Sequence, residues 1–141
     1  MVRPGDFSLK TRLVDCVGYL VNNAIGYLED DMPRMVKTPW SEEEIPFEKA
    51  AEIGTKKVIQ EHSTIGVLVT TDGSITDIPR ADYIQAEERV VSELKELKKP
   101  FVIVLNSATP YSEETKNLAR DLEAKYSNPV VCTDCTNLSL D

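Results

Sequence analysis

Several residues of this chain are of types and spacings that carry chemistry. Asp15 closes the apolar run "RLVD" and Gly18 follows three residues later, so a carboxylate stands beside a turn glycine. Asp72, Asp77 and Asp82 punctuate "TTDGSITDIPRAD". Three acids there can hold Mg²⁺ or order a neighbouring subunit, although solvated turn acids are the ordinary use of aspartate in such a loop. Cys132 and Cys135 form C-x-x-C, the spacing of a redox pair or half a zinc site. Zinc needs two more ligands, for which only Cys16 and His62 are available, and a redox pair belongs at a helix start, so the pair reads as structural. His62, the only histidine, ends a helical pattern, where a cation on the C-terminal dipole explains it better than a catalytic base. Trp40, the only tryptophan, lies in "KTPWSEEE" and reads as a packing residue, with partner anchoring as the alternative.

The elements that must position these residues follow from periodicity. Phe7, Leu9 and Leu13 recur at even spacing after a Pro-Gly-Asp turn, which predicts a strand over 7–15 whose hairpin partner has been cut away. Residues 18–46, broken by glycines, prolines and acidic clusters, read as one long loop serving a site. Pro46 opens a helix to His62, and "TIGVLVTT" is a short apolar run typical of a buried parallel strand. A second helix carries Tyr83, Val90, Leu94 and Leu97 and stops at Pro100. "FVIVLN" is the next strand, Ser112 caps a third helix through Tyr126, and "NPVVCT" is the last strand. The alternation predicts a single α/β domain with right-handed parallel crossovers and helices on both faces of the sheet. In such a sheet the loops at Asp15, Asp72, Asn106 and Thr133 share the carboxyl edge, where ligands bind.

The totals narrow the function. A formal charge of −8 argues against a general nucleic-acid binder, which needs clustered cations to displace counterions. A nucleotide stays possible, because backbone N–H groups and a metal ion can hold phosphates locally. No apolar stretch reaches membrane-span length, the N-terminus has no signal core, and three cysteines do not make a disulfide framework, so a reducing cytoplasm is expected.

The D-x-x-G spacing at Asp15 and Gly18 resembles the Walker B segment of P-loop NTPases, in which the aspartate fixes Mg²⁺ and the glycine N–H approaches the terminal phosphate. A capping aspartate before a turn glycine fits the same spacing. "VIVLNS" ends in Asn106 where GTPases of this topology carry N-K-x-D, with Ser107 in place of the lysine and Thr109 in place of the aspartate. The carboxylate that would grip guanine is missing, which makes ATP the more plausible nucleotide. Asn106 can equally satisfy backbone groups at a strand end.

Taken together, "RLVDCVGY", "PRM", "TPW", the long block from "IPFEKAAEIG" to "AEERV", and "KPFVIVLNS" resemble the N-terminal ATPase region of the stage IV sporulation protein A family, up to about Tyr126. That resemblance implies a TRAFAC GTPase-like P-loop core, a three-layer and mostly parallel sheet, that binds and hydrolyses ATP with Mg²⁺. It implies polymerisation of the protein with itself into the basement layer of the spore coat, beside other coat proteins. The place would be the mother-cell cytoplasm at the forespore outer membrane, peripheral to it and anchored with a small amphipathic peptide. Asp15 would be the catalytic and metal-binding Walker B aspartate, Gly18 would lie beside the γ-phosphate, and Asn106 and Ser107 would line the base pocket.

The sequence departs from that family in one respect: no G-x-x-x-x-G-K-S/T occurs in it. Residues 1–141 therefore read as one partial ATPase domain, truncated at the N-terminus and running from the Walker B segment to the last strand. Without a phosphate cradle this chain is expected to be inactive alone; the alternative is a non-catalytic module supplying polymer contacts. The strand that precedes the cradle lies mid-sheet in this topology. Its absence predicts that the flanking strands close up directly or take a strand from another copy, since unpaired buried backbone groups cost on the order of 1–3 kcal/mol each.

Overall fold

The computed structural model describes residues 10–24, 26, 28–29 and 32–138. In chain order these form β1 (Leu28–Glu29), β2 (Met32–Pro33), β3 (Met35–Thr38), β4 (Ser41–Pro46), α1 (Phe47–Lys57) and a π-helical turn (Val58–His62). β5 (Gly66–Thr71), α2 (Arg80–Glu96), β6 (Phe101–Asn106), α3 (Glu113–Tyr126) and β7 (Val130–Thr133) complete the order. The last three strands make one parallel sheet in the order β5-β6-β7, because each is joined to the next through a helix that carries the chain back.

Register decides where the core sits. Leu68, Ile103 and Val130 lie in one row across the sheet, and Thr70, Leu105 and Cys132 in another. Helix residues Val91, Leu94, Ala119, Leu122 and Tyr126, with Ile59 of the π turn, close over these rows, and Ile103 and Leu105 are sealed from solvent. The alternate residues build the opposite face: Val67 pairs with Val102, and Val69, Val104 and Val131 share a row. On that face Val67, Val69 and Val131 are 55%, 58% and 51% exposed.

The α/β class, the parallel order, the three helices and the three strands after residue 64 agree with the sequence reading. The cap on α3 does too: Ser112 Oγ accepts the Thr115 N–H at 3.2 Å. Among the described residues the helices cover one face of this sheet, and the valine face is exposed.

Two expectations are corrected. Of the strand read over 7–15, residues 7–9 lie outside the described residues, and 10–15 run exposed without strand pairing. An extended segment becomes a strand only against a partner, and among the described residues β5 pairs with β6 alone. Direct closure of the flanking strands therefore does not form here; a cavity of about 380 Å³ is lined jointly by residues of 14–21, β5, α1 and α2. The loop read over 18–46 contains two antiparallel hairpins, β1 with β2 and β3 with β4. Its prolines hid them: Pro33 and Pro46 stand at strand ends, where a missing N–H is tolerated, and Pro39 occupies the turn of the second hairpin. Trp40 follows in that turn, half-exposed, its ring laid against α1 at Gly54.

Candidate strand-end site

Three of the four strand-end loops meet. The carboxylate of Asp72, just past β5, accepts the Ser74 N–H at 2.9 Å and the Ser74 hydroxyl at 2.5 Å through Oδ1. Its Oδ2 lies 3.2 Å from the Thr115 hydroxyl at the start of α3. Thr115 Oγ1 also lies within reach of the Thr109 carbonyl at 3.1 Å, Ser107 Oγ at 3.2 Å and Ser112 Oγ at 2.9 Å. Having one proton, it donates to a single acceptor at a time, and its oxygen is open to a proton from a neighbouring serine. Ser74 Oγ in turn accepts the Ala108 N–H at 2.9 Å, so the loops after β5 and β6 are stitched together. Burial alone would raise the Asp72 carboxyl, but the hydrogen bonds from Ser107, Ser74 and Thr115 outweigh it and hold it below the usual carboxylate range.

The loop after β7 joins them through Asn106, whose Oδ1 accepts the Cys135 N–H at 2.9 Å, while the Ser107 N–H donates to the Thr133 carbonyl at 3.0 Å. Ser107 is fully buried, and its hydroxyl accepts the Thr109 N–H at 3.0 Å. As folded, this side chain faces the interlocked loops rather than solvent. An open groove of about 680 Å³ runs between the two loops, lined by Thr109, Tyr111, Ser112, Thr133 and Asp134 among others.

Asp15 is held differently. It is exposed, and its Oδ1 accepts the N–H of adjacent Cys16 at 2.9 Å, with no other bond to its carboxylate among the described residues. It lines the cavity beside the outer edge of β5 and makes no hydrogen bond to the Asp72, Asn106 or Thr133 loops. Gly18, at φ +82°, is tied to α1: its N–H donates to Thr55 Oγ1 at 3.0 Å, and the Thr55 hydroxyl donates back to the Gly18 carbonyl at 3.1 Å. Tyr19 is buried under the Arg89 guanidinium, 4.1 Å from the ring centroid, and its hydroxyl donates to Glu93. Burial, then that carboxylate, push the Tyr19 phenol well above its ordinary value.

Behind the strand ends lies a second buried network. Glu87 of α2, 3% exposed, pairs with Arg80 at 2.7 Å and accepts the Thr70 hydroxyl at 2.7 Å and the Tyr126 hydroxyl at 2.7 Å. Burial raises the Glu87 carboxyl, yet the Arg80, Thr70 and Tyr126 bonds together hold it below the usual range. Tyr126 is pushed up to about 12 by burial and by Glu87. Sequence reasoning passed over this network and over Thr55. The available signal was a polar residue inside an apolar stripe: Thr55 sits between Ala51 and Ile59 at four-residue spacing, and Arg80 and Glu87 share a helix face two turns apart.

The remaining candidates separate. Asp82 accepts the Asn23 amide at 2.9 Å, Asp77 is exposed, and no group of three or more metal-ligating side chains occurs among the described residues. Burial raises the Cys132 thiol and makes it a poor nucleophile, and its side chain packs against the core. His62 is exposed at the end of the π turn beside Glu61. No helix of the described residues is long and apolar enough to cross a membrane.

A parallel α/β sheet whose strand-end loops meet at the carboxyl edge is the framework of the nucleotide-binding α/β proteins. The chain belongs to the family described as Stage IV sporulation protein A, ATPase domain, which it matches over residues 3–141. It is 63% identical over 120 residues to Stage IV sporulation protein A of Bacillus subtilis (strain 168), covering 85% of this chain and 24% of that protein. The protein of the same name from Bacillus anthracis is 58% identical over 127 residues, 90% of this chain and 26% of the relative. That from Clostridioides difficile (strain 630) is 60% identical over 124 residues, 88% and 25% respectively. The chain thus spans about a quarter of the length of these relatives. No solved structure matches it.

Proposed function

We propose that this chain supplies the metal-side and base-side parts of a sporulation ATPase that uses Mg-ATP to drive self-assembly of the spore-coat basement layer. The observation that carries the reading is membership of the ATPase-domain family across nearly the whole chain. In this reading Asp15 is the metal ligand, Gly18 presents its N–H to the terminal phosphate, and Asn106 orders the base-side loops through the Cys135 N–H. Mg²⁺ commonly takes one or two carboxylates and completes its shell with phosphates and water, so one exposed carboxylate at Asp15 fits such an ion. The bound ion would supply charge neutralisation at the transferring phosphate. Selectivity for adenine rests on a missing acid: Thr109 stands where guanine readers carry aspartate, and Asp72, the nearby carboxylate, is fully engaged by Ser74 and Thr115.

The phosphates need a cradle of N–H groups and a lysine, and no G-x-x-x-x-G-K-S/T is present in these 141 residues. The chain by itself is therefore proposed to be inactive, working as part of a larger ATPase unit that acts in the mother-cell cytoplasm at the forespore surface. Partners in that setting are other copies of the protein, other coat proteins and a small amphipathic membrane-anchoring peptide. A second reading, a non-catalytic module for polymer contacts, is favoured by the valine face and the β5 edge that the described residues leave uncovered and unpaired. Mg-ATP binding and turnover, measured for this chain and for a version extended upstream, separate the two. Turnover by the extended version that Asp15→Ala abolishes supports the ATPase reading; no turnover by either supports the structural module.

A further inference from the structure

Gly18 is where an exposed segment becomes a held one. Residues 10–17 are all exposed, whereas Gly18 is bonded in both directions to Thr55 and Tyr19 is buried against α2. Thr55 is 2% exposed, and its hydroxyl engages the N–H and the carbonyl of Gly18 across 37 residues of sequence. The Gly18 N–H that the ATPase reading assigns to the terminal phosphate is thus already occupied by a helix side chain.

We propose that the Gly18–Thr55 bond pair is a latch that withholds the Gly18 N–H until a terminal phosphate displaces the Thr55 hydroxyl; this rests on the ATPase reading above. Three features make the exchange feasible. A phosphate oxygen is charged and accepts a stronger hydrogen bond than a neutral hydroxyl. A threonine inside a helix has a substitute acceptor in the carbonyl four residues earlier, here Ala51, so release does not strand the buried hydroxyl. Gly18 has no neighbour within 4 Å of where a Cβ would stand, and without a side chain it can change φ and ψ freely. Release of Gly18 would also change what holds α1 and α2. Tyr19 is tied to Glu93 and Arg89, and Arg89 is paired with Glu52, one turn before Thr55 on α1. The occupancy of the phosphate position is thereby coupled to α1 and, through Tyr19 and Arg89, to α2, which packs on the sheet.

Two measurements on Thr55→Val and Thr55→Ser test the latch. The first is amide hydrogen exchange at Gly18 in this chain: Thr55→Val should accelerate it on the order of tenfold, the loss expected for one hydrogen bond, and Thr55→Ser should leave it near the wild-type rate. The second is affinity of the upstream-extended version for a non-hydrolysable Mg-ATP analogue and for Mg-ADP. Thr55→Val should tighten the analogue about three- to tenfold with ADP unchanged, because only the terminal phosphate competes with Thr55. Should the valine variant fail to fold, Thr55→Ala removes the same hydroxyl without added bulk and is read in the same way. Unchanged Gly18 exchange overturns the latch, as does analogue affinity that is unchanged or weakened while the wild type binds normally. A wild-type extended protein that binds neither nucleotide fails at the ATPase reading itself, which is a different result from a bound analogue indifferent to Thr55.

Discussion

Asp72 and Asp15 stand in sharply different surroundings although both follow apolar runs of the sequence. Asp72 follows a strand paired along its whole length with β6, and its carboxylate is fixed by groups from three places in the chain. Asp15 follows a segment with no strand partner among the described residues, and its carboxylate touches only the next residue's N–H. The difference teaches that an acid at the end of an apolar run becomes structural when a neighbouring strand end delivers donors to it. Where no neighbour does, the acid stays available to a ligand.

That comparison can be tested from its firm side to its loose one. The largest effect is expected at Glu87→Ala, behind the Asp72 side, which leaves Arg80 part-buried without its partner and removes acceptors from Thr70 and Tyr126. A loss of about 3–5 kcal/mol in urea unfolding is expected. Asp72→Ala should cost less, roughly 1–3 kcal/mol, as the Ser74 and Thr115 groups lose their acceptor. Both carboxyls are held below their ordinary values in the fold, so each stabilises the native state above the unfolded carboxylate pKa of about 4. That contribution is lost as pH falls through the lower folded values. Unfolding followed from pH 6 downward should therefore show a steeper loss for the wild type than for Asp72→Asn. Asp15→Ala, at the loose end, should change stability by no more than about 0.5 kcal/mol. An Asp15→Ala variant as destabilised as Asp72→Ala would break the contrast between the two acids.

Much of the sheet half was legible because its signals are local. "GVLVTT" and "FVIVLN" are apolar runs of strand length, Ser112 stands before acidic first-turn residues, and Pro100 marks where α2 must have ended. The strand-end convergence of Asp72, Asn106 and Thr133 follows from parallel order alone, and the loops do meet. The N-terminal half was harder for a physical reason. Even spacing at Leu9 and Leu13 describes an extended chain, but strand formation depends on a partner that periodicity does not reveal. The hairpins of residues 28–46 were masked by prolines whose edge positions become visible only once the pairing is known. Ser107 illustrates the same limit within the site, since its place after Asn106 is a matter of sequence and its complete burial is a matter of which loop packs over it.

By itself the sequence determined the alternation of helices and strands after residue 46, the serine cap of α3, the end of α2 before Pro100 and the α/β class, because these depend on side chains a few residues apart. The tertiary structure alone decided that Asp72 is consumed by serine and threonine donors and that one sheet face stays open. It also decided that Gly18 is latched to a threonine on another element. Each of these depends on contacts between residues tens of positions apart, and only the register of the folded chain determines which of them meet.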